Sequence, residues 1–217
     1  SFMRESISMS EYCIGYASLV NESSARSSVP NLSEFNIGIL RGYRRIFGKV
    51  SPQCVIRGTA DWKTNEVSAS FIHPDNNAPG MYVCHFKVPD QFWPVIRDRE
   101  LDYRETVEDV KILKTGEIKR GHVYVGYDSH EDLINERGHA IYDHWHDYVK
   151  KYKGENYRRD ILPSRHYLRL CLSAYLSVGK EYIDNFIETS FLSDRTTPLS
   201  SHLKALDWNP YDEESWS

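Results

Sequence analysis

Two short segments of this chain carry residue types that can do chemistry together. The first is Glu11-Tyr12-Cys13-Ile14-Gly15-Tyr16-Ala17-Ser18-Leu19-Val20, an apolar run that breaks into small residues. A strand that gives way to Gly, Ala and Ser leaves successive backbone N–H groups unshielded, and such a run forms a concave nest for an anionic oxygen. The same pattern also describes an ordinary buried strand followed by a loop. The second segment is Ile96-Arg97-Asp98-Arg99-Glu100-Leu101-Asp102-Tyr103-Arg104-Glu105, read as the end of a short helix handing over at once to a strand. A carboxylate at that junction stands at the mouth of a sheet, where partial desolvation raises its pKa toward useful acid–base range. Glu100 is the candidate, the alternative being a surface glutamate paired with Arg97 or Arg104.

Other reactive types are less well arranged. Cys13, Cys54, Cys84 and Cys171 are widely spaced among apolar residues with no CxxC pair, so they read as buried thiols, not as a zinc site or disulfide frame. His139, Asp143, His144 and His146 are dense, with His122 and His130 upstream. On a helix His139 and Asp143 share a face, but His144 and His146 diverge, and no metal is expected there. Ser18 lacks a G-x-S-x-G elbow and reads as a turn residue.

The elements that must hold these groups follow from periodicity. A first strand is expected over residues 12–20, followed by a polar loop from Asn21 to Ser33. Strand spacing continues in Asn36–Leu40, Gly42–Phe47, Glu66–Ile72 and the unbroken run Met81–Val88, which suits a central strand. Pro89-Asp90 opens a short helix with Asp90 as its N-cap. Thr106–Leu113 and His122–Tyr127 form a strand pair around Thr115-Gly116. Apolar stripes then predict helices after Pro163-Ser164 and from Lys180, with Gly179 as the break between them. Tyr148–Arg159, aromatic and basic, reads as a solvated helix.

Strands early and helices late define an α+β chain with a mixed sheet, curled or closed into a small barrel, with flanking helices and a helical C-terminal part. Without regular strand–helix alternation or a GxGxxG motif, a Rossmann fold is disfavoured. The expected organisation is one domain over 1–217. Ser1 and Phe2 read as the scar of a cleaved tag, residues 161–192 as a helical extension, and 207–217 as a loosely docked acidic tail. A net charge of −4 over 217 residues leaves no electrostatic footprint for nucleic acid, and Lys150, Lys151, Lys153, Arg158 and Arg159 read as solvated surface. No apolar run reaches the roughly 18 residues of a membrane span, and no secretory n-region or h-region follows Met3, so a cytoplasmic protein is expected.

In order and spacing, residues 12–113 resemble the γ-glutamylcyclotransferase superfamily, which includes ChaC-type and avirulence-induced-gene-like proteins. Its first strand ends in a YGSL-type turn, here Tyr16-Ala17-Ser18-Leu19. A later Gly-Tyr/Trp-Arg-Arg strand is matched by Gly42-Tyr43-Arg44-Arg45, and an Arg-Gly-Thr by Arg57-Gly58-Thr59. The family's catalytic glutamate stands in L-D-x-R-E with Tyr three residues on, a pattern that falls on Ile96–Glu100 and Tyr103, with Ile96 in place of Leu and Arg97 in place of Asp. Glu105 completes L-D-x-R-E more literally, at Leu101–Glu105, but has Glu108 where the tyrosine belongs. Ala17 replaces the family's usual Gly, which requires a negative φ.

The resemblance implies a closed or curled barrel and a ring closure that releases 5-oxoproline from a small-molecule γ-glutamyl amide. Glu100 is then the general acid–base, and Tyr16, Ala17, Ser18, Leu19 and Tyr103 bind substrate, with no metal or other cofactor. Neither nucleic acid nor membrane is an expected partner, and the state is monomer or homodimer. A γ-glutamyl transferase or amidohydrolase on the same scaffold, or a non-catalytic binding protein that keeps the pocket, are the alternatives. Arg44 and Arg45 alternate faces, so at most one points inward, and both read as structural.

Overall fold

Alternating and continuous apolar runs become nine strands among the described residues of the computed structural model, which describes residues 11–138 and 155–217. They are β1 (Tyr12–Gly15), β2 (Ser33–Leu40), β3 (Tyr43–Val50), β4 (Glu66–Pro74), β5 (Met81–Lys87), β6 (Arg104–Ile112), β7 (Ile118–Val125), β8 (Leu162–Pro163) and β9 (Ser190–Leu192). Five of them close into a barrel in the order β1-β5-β2-β6-β7, and the remaining four form a sheet in the order β8-β4-β3-β9. The unbroken run of β5 is explained by its place between β1 and β2, antiparallel to both, because an inner strand buries both faces. The barrel closes where β1 meets β7 in parallel at Cys13 and His122. The two sheets are joined where the Gly126 N–H donates to the Ile72 carbonyl at 3.0 Å.

The helices are α1 (Glu22–Ser28), α2 (Pro52–Ile56), α3 (Trp93–Arg99), α4 (His130–Arg137), α5 (Arg165–Val178), α6 (Lys180–Glu188) and α7 (Leu199–Ala205). Ser164 caps α5 by accepting from the Tyr167 N–H, and Gly179, at φ 149°, separates α5 from α6. Both helices bury the stripe their sequences predict, Leu168, Cys171, Leu172 and Tyr175 on the first and Ile183 and Phe186 on the second.

Several elements differ from expectation. The first strand stops at Gly15, and Ser18–Val20 form a 3₁₀ turn. The expected loop contains α1, whose N-cap Asn21 accepts from the Ser24 N–H at 3.0 Å. Its sequence, ESSARSS, buries only Ala25, so it has no apolar stripe to announce it. Asp90 opens a 3₁₀ turn and makes no side-chain cap, while α3 starts at Trp93 with Pro94 in its first turn. The acidic tail is anchored, not loose: Trp208 and Trp216 are buried with stacked rings 6.4 Å apart, and the Trp216 indole N–H donates to the Asn209 carbonyl. Of the segment expected as a solvated helix, residues 148–154 lie outside the described residues; 155–159 are not helical, and Tyr157 is buried. The histidine cluster at 139–146 also lies outside them.

No described helix is long and apolar enough to cross a membrane. Cys13, Cys54, Cys84 and Cys171 are all buried free thiols.

Candidate active site

At the end of β1 the chain must turn sharply beside β5, and Gly15 makes that approach possible. A Cβ there would lie 2.8 Å from Cys84 Sγ and 2.9 Å from Leu19 Cβ, closer than side-chain carbons pack. The close-packing glycine is therefore Gly15, one residue before the YGSL-like motif. Ala17 sits at φ −140°, the negative value its side chain needs. The turn is braced from three sides. Cys84 Sγ donates to Leu19 O at 3.2 Å, Tyr16 Oη donates to Tyr124 O at 2.8 Å, and Arg45 Nε donates to Tyr16 O at 2.8 Å. No backbone carbonyl among the described residues accepts from the N–H groups of Ala17, Ser18 or Leu19. That of Ser18 is turned to the Cys171 thiol, which leaves those of Ala17 and Leu19 as the freer donors.

Arg45 is the inward member of its pair, fully buried, and reaches across to the C-terminal helices. Its Nη1 donates to Phe186 O, Thr189 Oγ1 and Ser190 Oγ, and its Nη2 to Tyr175 Oη. Arg44 faces the other way and donates to Arg195 O. One buried guanidinium thus ties the N-terminal turn to α5, α6 and β9, using the fixed fork of donors that only arginine supplies.

Glu100 is the C-cap of α3. Its N–H donates to Ile96 O at 3.1 Å and its carbonyl accepts from the Tyr103 N–H at 3.0 Å, so one tight turn delivers Glu100, Asp102 and Tyr103 from the helix to β6. Half-buried, the Glu100 carboxyl accepts no hydrogen bond from a described side chain. Burial raises its pKa to about 7, helped by the nearby Asp102 and opposed by Lys49 and Arg99. Arg97, expected as its surface partner, pairs with Glu105 at 3.1 Å. Glu105 lies on β6, outside the cavity lining, and accepts from Tyr124 Oη at 2.6 Å. Burial pushes Glu105 up, but the hydrogen bonds from Tyr124 and Arg97, with the charges of Arg97 and His122, outweigh it and hold Glu105 below its ordinary value. A carboxylate so stabilised is a poor proton acceptor.

Tyr16, Ala17, Ser18, Leu19, Glu100 and Tyr103 all line one cavity of about 520 Å³. Tyr103 serves chiefly as a wall, since its hydroxyl donates to Ser70 O at 3.1 Å and the Lys49 ammonium lies 4.7 Å from its ring centre. Sequence reasoning missed Lys49 and Asp102, which also line the cavity and form a buried ion pair at 2.7 Å. A signal for Lys49 existed: it is a lone charge in the apolar end of β3, Ile46-Phe47-Gly48-Lys49-Val50. Burial raises the thiols of Cys13, Cys84 and Cys171, so none is a ready thiolate nucleophile. Among the described residues no group of three or more His, Cys, Asp or Glu could hold a metal ion.

The barrel, the flanking sheet and the helices together make the γ-glutamylcyclotransferase-like fold. The chain is similar in structure to a protein described as gamma-glutamyl cyclotransferase, at TM-score 0.55 and 11% identity, over 90% of this chain and 96% of that one. It is also similar to YkqA from Bacillus subtilis, at TM-score 0.51 and 12% identity, over 90% of this chain and 54% of that one. At such identities the likeness is one of fold. No protein-family model matches the sequence, and no curated protein matches it.

Proposed function

We propose that this chain is a γ-glutamylcyclotransferase-type enzyme that converts a γ-glutamyl amide into 5-oxoproline and a free amine. The observation that carries this reading is the convergence, on one cavity, of a carboxyl group with pKa about 7 and a turn with unengaged backbone N–H groups. The fold shared with a protein named gamma-glutamyl cyclotransferase is consistent with it.

The substrate carries both reactants, so the site has to fold it and move protons. Ionised Glu100 takes a proton from the substrate's α-ammonium, and the freed amine attacks the γ-carbonyl carbon. The carbonyl oxygen becomes negative, and the Ala17 and Leu19 N–H groups are the donors available to it. Collapse breaks the γ-carbon–nitrogen bond as Glu100 returns its proton to the leaving nitrogen, and the ring nitrogen, which still carries two hydrogens, gives up the second through the same carboxylate to the departing amine; two protons pass in all from the α-ammonium to the released amine, so neither water nor a cofactor is consumed. A base near pH 7 suits both proton transfers, and holding the chain folded supplies several kcal/mol of orientation, about the scale of intramolecular catalysis.

The test is mass spectrometry of γ-glutamyl dipeptides and glutathione incubated with the wild-type chain and Glu100→Gln. Expected are 5-oxoproline from the wild type and none above background from the variant. Free glutamate in place of 5-oxoproline would indicate a hydrolase instead, and no turnover of any γ-glutamyl compound would leave a binding protein. Persistent 5-oxoproline formation by Glu100→Gln would remove Glu100 from the mechanism.

A further inference from the structure

The Lys49–Asp102 pair is hard to explain as a stability device. Both side chains are almost wholly withdrawn from water, at 3% and 2% exposure, with Nζ and Oδ2 2.7 Å apart. Burying two charges this way is at best neutral against a well-packed apolar pair. The surroundings nevertheless hold the pair firmly. Asn156 Nδ2 donates to the same Asp102 Oδ2 at 2.9 Å, and Tyr157 Oη donates to Asp102 O at 2.7 Å. Tyr157 also bridges Lys49 on β3, and the Val50 N–H donates to Asn156 O at 2.8 Å. A segment distant in sequence is thus spent on fixing one ion pair on the wall of the cavity that Glu100 lines.

We propose that Lys49 and Asp102 are positioning residues for Glu100, a fixed pair of opposite charges that sets when the neighbouring carboxyl group holds its proton. Asp102 stands two residues from Glu100 in the same turn and disfavours the anion. The Lys49 ammonium approaches from β3 and favours it. The other groups around Glu100 are Arg99 on α3, Tyr103 in the turn, Tyr16 after β1, Cys13 on β1 and Tyr124 on β7. All but Arg99 are neutral at pH 7 with raised pKa values, and Arg99 is exposed. The pair therefore supplies the strongest buried charges in the field, one of each sign. This rests on Glu100 being the acid–base group, but the decisive measurement reads its titration and not turnover.

The experiment follows the Glu100 carboxyl by carbon-13 NMR in the full chain carrying side-chain-carboxyl-labelled glutamate, the resonance being assigned by its loss in Glu100→Gln. Asp102→Asn is expected to move the midpoint to lower pH by at least about one unit, because the like charge is gone and Lys49 is freed toward Glu100. Lys49→Met is expected to move it to higher pH. Opposite displacements support the pair as the setting device, since a merely structural role predicts no such sign change; any other pattern overturns it. Should Lys49→Met fail to fold, Asp102→Asn, which keeps the side chain's size, carries the test: an acid displacement supports the proposal, and an unchanged or alkaline midpoint overturns it. The acidic limb of kcat/KM should move with each midpoint. Opposite NMR displacements in a chain without turnover would sink the proposed reaction while retaining the pair.

Discussion

Replacing Glu100 by glutamine is expected to stabilise the fold at neutral pH while removing its acid–base chemistry. The fold raises the Glu100 carboxyl from an ordinary 4.5 to about 7. Below pH 4.5 the group is protonated in both folded and unfolded chains and contributes nothing. Between pH 4.5 and about 7 the unfolded chain loses the proton while the folded one keeps it. Stability therefore falls as pH rises, by about 1.4 kcal/mol per unit, and levels off above the folded value. Integrated, the penalty is about 3 kcal/mol, a ceiling because the side chain is only half-buried. Glutamine is neutral in both states and escapes it. The advantage of Glu100→Gln over wild type should thus grow from near zero at pH 4.5 to at most about 3 kcal/mol at pH 8, or about 6–12 °C in Tm for a chain of this size. Urea denaturation of both proteins across pH 4.5 to 8 measures it. A gap that does not change with pH, or a variant less stable at pH 8, would refute the desolvated-carboxyl account of Glu100.

Three further outcomes follow from the same geometry. In 5-oxoproline assays kcat/KM should fall about tenfold per pH unit below pH 7 as Glu100 takes up its proton, and an acidic limb centred near 4.5 would contradict the raised value. Gly15→Ala should destabilise by about 1–3 kcal/mol, since its new methyl meets Cys84 and Leu19 at under 3 Å, whereas Ala17→Gly, at a residue already relaxed at negative φ, should lose no more than about 1 kcal/mol; thermal melts that reverse this ranking would falsify the assignment of Gly15 as the close-packing position. Trp216→Ala should cost about 3–5 kcal/mol in chemical denaturation, the range for deleting a buried large aromatic, and a loss under about 1 kcal/mol would mean the tail is not part of the packed structure.

Legibility in the sequence followed the strength of local signals. β3, β4 and β5 could be read because apolar and β-branched residues recur at strand spacing, and α5 and α6 because their stripes are long and bounded by Ser164 and Gly179. Helix α1 escaped because seven mostly polar residues that bury only Ala25 carry no periodic pattern, leaving Asn21 as the one local sign. The tail was misread for a related reason: its acidic composition describes its surface, while Trp208 and Trp216 join the main apolar core, most of whose members lie far away along the chain. Glu100 was legible as a junction residue, and the YGSL-like turn as a break in an apolar run. The Lys49–Asp102 pair was not, because a buried charge is recognisable only when its partner is in view.

The sequence by itself determined which groups were available: a turn poor in side chains after β1, a carboxylate where α3 meets β6, and thiols placed among apolar neighbours. Only the tertiary structure decided what those groups are chemically. Two carboxylates five residues apart each follow an arginine, yet Glu100 is raised to about 7 while Glu105 is held below its ordinary value. Desolvation and Coulomb interaction depend on distance in space. The pairing of β6 with β7 sets Tyr124 beside Glu105 and holds it ionised, whereas burial and Asp102 raise Glu100 further than Lys49, from β3 in the second sheet, can lower it.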